Sequence, residues 1–403
     1  MDKSFIRKVG FILAGACGIF VLSEQCRAQD SMSQVLSQIE KNNTGLCSLR
    51  KRVEAEKYGA RAERALDAPE IGFDYLWGSP AGTGNRKDIS VTQTFDVAAL
   101  TGARGKLADA RQSLSDAQYM MERKNVLLEA EQLYINIVYC NILSSELSAR
   151  LARYGKMEEA YRDMQVRGET DMIEVNKAHA AYLAQKNALA RNMLERENFM
   201  TGLRRLNGGM EIAVDAVDYP LQNLLPPDFD VWYVTASQSS PELAYMRRNV
   251  EVNAALARTG KMENCPSVTA GYMAELVRGS NFRGLTLGLS IPLWSVRSKV
   301  RNANMSYEAA KLEEKDVSVQ VYGMLKNSYD KAAGLRGMVS DLESSLAVAE
   351  EAMTLTEHKL DSGEISLIDS IMEFTLYYSL QDESFAAARD YQLALADLNA
   401  WTL

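Results

Sequence analysis

The chain has 403 residues, 47% of them hydrophobic and 24% charged, with 53 Asp and Glu against 45 Lys and Arg and a formal net charge of −8. That length can bury a sizeable core, and the acidic balance excludes the basic surface a nucleic-acid partner requires. Only Cys47, Cys140 and Cys265 lie beyond residue 28, too few and too scattered for a disulfide framework.

The first residues read as an export signal. Lys3, Arg7 and Lys8 precede an apolar run from Val9 to Leu22, and Cys26-Arg27-Ala28 fits the small-x-small rule for signal-peptidase cleavage. The run is about 14 residues, short of the roughly 20 that cross a bilayer as a helix. The expectation is a signal peptide over residues 1–28, with the mature chain starting near Gln29. Nothing later approaches a membrane helix, so entry into a membrane would have to be by strands.

After an opening helix come two runs of alternating character. From Glu70 to Trp77, Ile71, Phe73, Tyr75 and Trp77 share one face against Glu70, Gly72, Asp74 and Leu76. From Ile89 to Val97, Ile89, Val91, Gln93, Phe95 and Val97 oppose Ser90, Thr92, Thr94 and Asp96. The stretch from Gly78 to Lys87, rich in Gly and polar groups, reads as the longer external loop, and Val277 to Asn281 as the shorter. A seven-residue period follows: Leu100, Leu107, Leu114, Met121, Leu128, Ile135 and Ile142 form one seam and Ala103, Ala110 and Ala117 a second. Such a repeat imposes left-handed supercoiling, and the run from Leu100 to about Tyr154 would be roughly 80 Å long at 1.5 Å per residue, too long for a compact core.

Residues 208–240 contain Gly208-Gly209, Pro220 and Pro226-Pro227 and read as a linker with little regular structure. Beyond it the pattern repeats. Asn43-Thr44-Gly45-Leu46 is answered by Ser240-Pro241-Glu242-Leu243, Pro69 by Pro266, Phe95-Asp96-Val97 by Ile291-Pro292-Leu293, and Gly168-Glu169 by Gly363-Glu364, at an offset of about 196 residues throughout. The organisation expected is a first repeat over 29–207 (strand pair 69–97, long helical hairpin 98–207), the linker 208–240, and a second repeat over 241–403 (strand pair 266–293, hairpin 294–403). The second strand pair sets Val268, Ala270, Tyr272, Ala274 and Leu276 against Ser267, Thr269, Gly271, Met273 and Glu275, then Leu285, Leu287, Leu289 and Ile291 against Gly284, Thr286, Gly288 and Ser290. Ala332, Val339, Leu346, Met353 and Leu360, with Leu335, Leu342 and Ala349, renew the two seams.

Each strand has about the 9–10 residues a tilted strand needs to cross the hydrocarbon layer. Ile71, Phe73, Tyr75, Trp77, Ile89, Val91, Phe95, Val268, Tyr272, Leu285, Leu287, Leu289 and Ile291 are therefore the candidate lipid-facing positions. Four strands cannot close on themselves, and an open edge in lipid leaves backbone groups unpaired, so closure demands several chains. Three copies would give about twelve strands, within the range of outer-membrane barrels. A different class of molecule shares the helical pattern: an exported coiled-coil scaffolding protein that never enters a membrane.

Several stretches carry a likeness. Val35-Leu36-Ser37-Gln38-Ile39-Glu40-Lys41-Asn42-Asn43, the run from Phe282 through Leu289-Ser290-Ile291-Pro292-Leu293-Trp294, and Gly363-Glu364-Ile365-Ser366-Leu367-Ile368-Asp369 resemble the first helix, last membrane strand and periplasmic tip turn of the TolC family of outer-membrane efflux proteins. Gly168-Glu169-Thr170-Asp171-Met172-Ile173-Glu174 follows the tip form with Glu174 in the Asp place. The resemblance covers nearly all of the mature length. It implies a mainly helical chain whose long hairpins form an α-barrel and whose four strands join a trimeric twelve-stranded β-barrel, placed in the outer membrane of a Gram-negative bacterium with a long periplasmic extension. It implies a passive exit duct of a tripartite efflux pump or a type I secretion system. Its partners would be two further copies, a periplasmic adaptor (membrane fusion) protein, an inner-membrane transporter of the RND or ABC type, and outer-membrane lipid. Gly168, Glu169, Thr170, Gly363, Glu364 and Ser366 become candidate adaptor contacts, and Glu174 and Asp369 candidate pore-constriction acids. Met372 stands where the family often has a second acid, which departs from a two-layer constriction.

No enzymatic chemistry is legible. His179 and His358 lack neighbours at metal-ligand spacing, no nucleophile elbow, zinc-protease motif or phosphate loop occurs, and the expectation is neither catalysis nor a cofactor nor a metal site.

Overall fold

A computed structural model describes residues 32–80, 82–220, 225–292 and 296–401. The signal-peptide expectation and Trp294 lie outside these residues. Helix α1 covers residues 32–42 and α2 Thr44–Glu63; strands β1 (Glu70–Leu76) and β2 (Arg86–Phe95) follow, then α3 (Val97–Leu100), α4 (Ala103–Val166) and α5 (Met172–Leu206). After α6 (Phe229–Ser239) come α7 (Pro241–Glu263), β3 (Ser267–Val277), β4 (Ser280–Ser290), α8 (Val296–Asp361) and α9 (Leu367–Asn399). The order α2-β1-β2-α4-α5 recurs as α7-β3-β4-α8-α9, so the duplication extends to the elements. Even the caps recur: Asn43 Oδ1 accepts from the Leu46 N–H at 2.9 Å, and Ser240 Oγ from the Leu243 N–H at 3.2 Å.

The chain divides into two compact units. One holds 48–122 and 238–321, the other 32–47, 123–237 and 322–401. The first is built on one antiparallel sheet in the order β1-β2-β3-β4, with Thr259 of α7 donating to the Ala103 carbonyl at the start of α4. In the second unit, Val35 and Ile39 of α1 pack on Tyr134, Ile137 and Val138 of α4 and on Met200, Leu203 and Leu206 of α5, with Ile212 and Val214 completing the cluster. Burial of such side chains stabilises by about 1.5–3 kcal/mol each.

The seven-residue pattern sets which face of α8 is covered. Ala332, Leu335, Val339, Leu342, Leu346, Ala349, Met353 and Leu360 are all shielded, while nearly every residue between them is exposed. On α4 the second seam carries two charges in step with Ala103, Ala110 and Ala117: Lys124 and Glu131, each buried. Lys124 Nζ lies 3.9 Å from the Trp401 ring centroid. Burial, with the nearby Asp397 carboxylate adding repulsion, pushes the Glu131 carboxyl from 4.5 up to about 7. The folded chain thus holds this proton more tightly than the unfolded chain does, so the site costs nothing below about pH 4.5 and destabilises progressively as pH rises to about 7. Glu131→Gln is expected to raise the unfolding free energy by about 2–3 kcal/mol near pH 8 and to leave it unchanged near pH 4, as read by guanidinium denaturation at both.

The structure corrects one expectation about 208–240. Within it, Phe229–Ser239 is helical, capped by Asp228, whose Oδ1 accepts from the Val231 N–H at 3.1 Å. Phe229 is buried among Trp232, Tyr233, Tyr322 and Tyr329, with ring centroids 5.4–5.9 Å away. Tertiary aromatic burial supplies what a short, proline-flanked segment lacks locally.

Candidate functional site

The strand register decides which side chains share a face. In antiparallel pairs directly opposed residues point the same way. Ile71, Val91, Tyr272 and Leu285 therefore form one row across the sheet, and Phe73, Ile89, Ala274 and Arg283 the next. Tyr75, Lys87, Leu276 and Asn281 make a third row; Gln93, Ala270 and Leu287 and then Phe95, Val268 and Leu289 extend the face the other way. Within the strands, every residue singled out as lipid-facing falls on this one face. Ile291 and Trp77 lie just past strand ends, Trp77 being 80% exposed. Leu285 and Leu287 are 86% and 80% exposed and Ile71 76%, so among the described residues nothing covers these side chains.

The opposite face is polar. Asp74, Asp88 and Glu275 stand in one row, and Arg86 from the adjacent row holds both Asp88, at 2.8 Å, and Glu275, at 2.7 Å. Thr94 and Thr269 share a hydroxyl hydrogen bond of 3.0 Å across the β2–β3 pair on the same side. Strands β1 and β4 are the two edges, each paired on one side only. Arg278-Gly279 alone separates β3 from β4, whereas residues 77–85 separate β1 from β2.

In the other unit, both helical hairpins turn in the same way. Gly168 and Gly363 take the left-handed conformation, φ 78° and 76°. Each lets two N–H groups fold back on the preceding helix: Gly168 to the Gln165 carbonyl and Glu169 to Met164, at 3.0 and 2.9 Å, and Gly363 to Leu360 and Glu364 to Lys359, at 3.1 and 2.8 Å. The following helix is capped at once. Asp171 Oδ1 accepts from the Ile173 and Glu174 N–H groups, and Ser366 Oγ from Asp369 at 3.2 Å. Glu169 is exposed and ion-paired with Arg167 at 3.0 Å; Glu364 is exposed and Thr170 half-buried.

Glu174 and Asp369 sit in the first turn of α5 and α9, where the helix dipole favours a carboxylate. Glu174 is half-buried and 3.0 Å from Lys177 Nζ; Asp369 is exposed and accepts from the Ser366 hydroxyl at 2.6 Å. Behind the tips the hairpins share a core of Tyr154, Met157, Ala178, Met353, Leu367, Phe374 and Tyr378.

Two arginines in that core escaped sequence reading. Arg150 of α4 is 2% exposed, donates to Gln381 Oε1 and Asp382 Oδ1 at 2.7 Å each, and lies 4.3 Å from the Tyr378 ring centroid. Arg153 pairs with Glu357 of α8 at 2.6 Å and donates to the Tyr378 hydroxyl. Their partners are more than 200 residues away in the chain, and no local pattern marks them. The hairpin also gives His179 an acid that spacing does not reveal: Glu158 lies 2.9 Å away, shared with Arg162 at 2.6 Å. Among the described residues no group of three or more His, Cys, Asp or Glu is placed to hold a metal.

Comparison with known proteins matches this geometry at the level of fold. No family model matches the chain. It is 20% identical over 301 residues to the proteases secretion protein PrtF of Dickeya chrysanthemi, a match that covers 70% of this chain and 64%, under two thirds, of PrtF. The CmeC outer membrane channel of Campylobacter jejuni superposes with a TM-score of 0.77 at 15% identity, over 92% of this chain and 85% of CmeC. The MtrE outer membrane channel of Neisseria gonorrhoeae, solved in its open state, gives 0.78 at 15% identity, over 92% and 88%.

Proposed function

From the premise that this chain has the fold of the TolC-type outer-membrane channels, we propose that it is the outer-membrane exit duct of a tripartite efflux pump or a type I secretion system. The observation that carries the reading is the sheet: four strands with an uncovered apolar face, a polar opposite face and two open edges. Such a sheet is stable in lipid only when its edges are paired, and pairing β4 of one copy with β1 of the next satisfies both. Three copies close about twelve strands into a barrel whose apolar face meets outer-membrane lipid and whose acidic face lines the passage. The helices favour the same assembly, because Leu312, Val319, Val348 and Leu355 of α8 expose apolar surface that a neighbouring copy would cover. The helical hairpins would then lie in the periplasm, with energy for transport supplied by an inner-membrane transporter of the RND or ABC type.

In this reading the tips receive the periplasmic adaptor. Their exposed acids make the contact testable: reversing Glu169 and Glu364 to Lys is expected to lower adaptor cross-linking severalfold while oligomers persist. Cross-linking that is unchanged removes the contact. Glu174 and Asp369 of three copies would gather acids near the closed end of the tube, where rings of one sign bias ion passage. Planar-bilayer recording of a Glu174→Gln, Asp369→Asn variant tests the duct itself. The unsubstituted protein is expected to form cation-preferring channels and the variant channels with reduced preference. Absence of any conductance from the unsubstituted protein would contradict the proposed function, and equal preference in both would remove the acids from it.

A further inference from the structure

The apolar face of the sheet has a charge pattern that spanning alone does not require. Among the described residues of the four strands it holds no Asp or Glu; Glu70, Asp74, Asp88 and Glu275 all point to the opposite side. Its only charges are Lys87 and Arg283, both exposed. They are not scattered. They occupy the two rows nearest the hairpin turns, Tyr75-Lys87-Leu276-Asn281 and Phe73-Ile89-Ala274-Arg283, while the three rows beyond contain none. Arg86, next to Lys87 in sequence, faces the other way and is taken up by Asp88 and Glu275. Lys87 Nζ instead lies 5.7 Å from the Tyr75 ring centroid, and the exposed Trp77 follows at the same rim.

We propose that Lys87 and Arg283 form a binding site for an anionic phosphorylated lipid headgroup in the leaflet at the hairpin-turn end of the barrel. The inference rests on the reading of the sheet as membrane-spanning. Along β4, Ile291 to Arg283 spans about 27 Å at roughly 3.4 Å per residue, or near 20 Å along the membrane normal for a strand tilted by about 40°. The two cations therefore sit at the rim of the apolar band, where phosphates lie. Long cationic side chains there keep their stems in the apolar layer and carry the charge outward. Tyr75 and Trp77 suit the same interface, since their rings have one apolar and one polar end. Phosphate, rather than a protein carboxylate, fits the position because no acid of this face is available to pair.

The test uses the full chain in nonionic detergent, titrated with bisphosphorylated lipid A in mixed micelles. Parallel arms use the dephosphorylated glycolipid and inorganic phosphate. Each cation near an anionic surface is worth about fivefold in affinity, so Lys87→Gln with Arg283→Gln is expected to bind lipid A roughly 25-fold more weakly. Arg283→Gln alone is expected to lose about fivefold, and Lys87→Arg with Arg283→Lys to bind as the unsubstituted chain does. Dephosphorylated glycolipid should not distinguish the variants, and inorganic phosphate should not compete. Equal lipid A affinity in the glutamine variants, or effective competition by inorganic phosphate, overturns the proposal. Flotation on phosphatidylcholine vesicles distinguishes a sheet that does not enter lipid from one that enters it without this site. A chain that fails to float ends both the spanning reading and this site, whereas one that floats without phosphate preference ends the site alone.

Discussion

Arginine in place of Leu287 is expected to abolish stable oligomers in the membrane, while arginine in place of Thr286, one residue earlier on β4, leaves them intact. Leu287 is opposed by Ala270 on the apolar face and lies midway between Ile291 and Arg283. A cation at the middle of the bilayer costs about 2–4 kcal/mol in each copy, and a closed ring repeats that cost in every subunit. Thr286, opposite Gly271, points to the polar side with Thr92 and Glu70. In the proposed barrel a long cation there would enter the wet, acidic passage, beside a residue that leaves it room. The comparison controls for strand propensity and edge position, because the two sites are neighbours on one strand. It is read as the fraction of heat-resistant oligomer extracted from membranes. Equal loss in both variants would reject the assignment of faces.

Arg150→Ala is expected to lower the stability of the hairpin unit by roughly 3–4 kcal/mol. The guanidinium is buried and joins α4 to α9 through Gln381 and Asp382, with the Tyr378 ring against its face. Truncation removes those bonds, opens a cavity beside Tyr378 and leaves polar groups of α9 without their donor. Arg150→Met restores much of the volume but none of the donors, and is expected to fall between the two. Denaturation in detergent gives the free energies. Hydrogen exchange should speed up along α9 near Gln381 and remain unchanged in the sheet, whereas a uniform change would contradict a local tie.

The sheet was legible because each strand obeys a period of two with one apolar and one polar side, and register then carries Ile71, Val91, Tyr272 and Leu285 into a single row. Alternation requires no knowledge of partners. The hairpin reversals were legible for a similar reason: Gly168 and Gly363 satisfy a local demand for left-handed backbone, and Asp171 and Ser366 cap within the same few residues. Lys124 and Glu131 were not anticipated: they stand in step with Ala103, Ala110 and Ala117, but nothing local says that a charge at either position would be buried. What could not be read are features made by distant pairs. Helix α6 depends on Tyr322 and Tyr329, about 90 to 100 residues downstream, and Arg150 on α9 more than 200 residues away. Composition near those residues gives no sign of either.

Native mass spectrometry of the protein extracted from membranes in detergent reads the copy number on which the proposed barrel depends, because a four-stranded open sheet in lipid cannot persist as a single copy. The trimeric barrel predicts a particle of three chains that loses its integrity when the detergent is withdrawn. A single chain, soluble and folded with no detergent present, would contradict it.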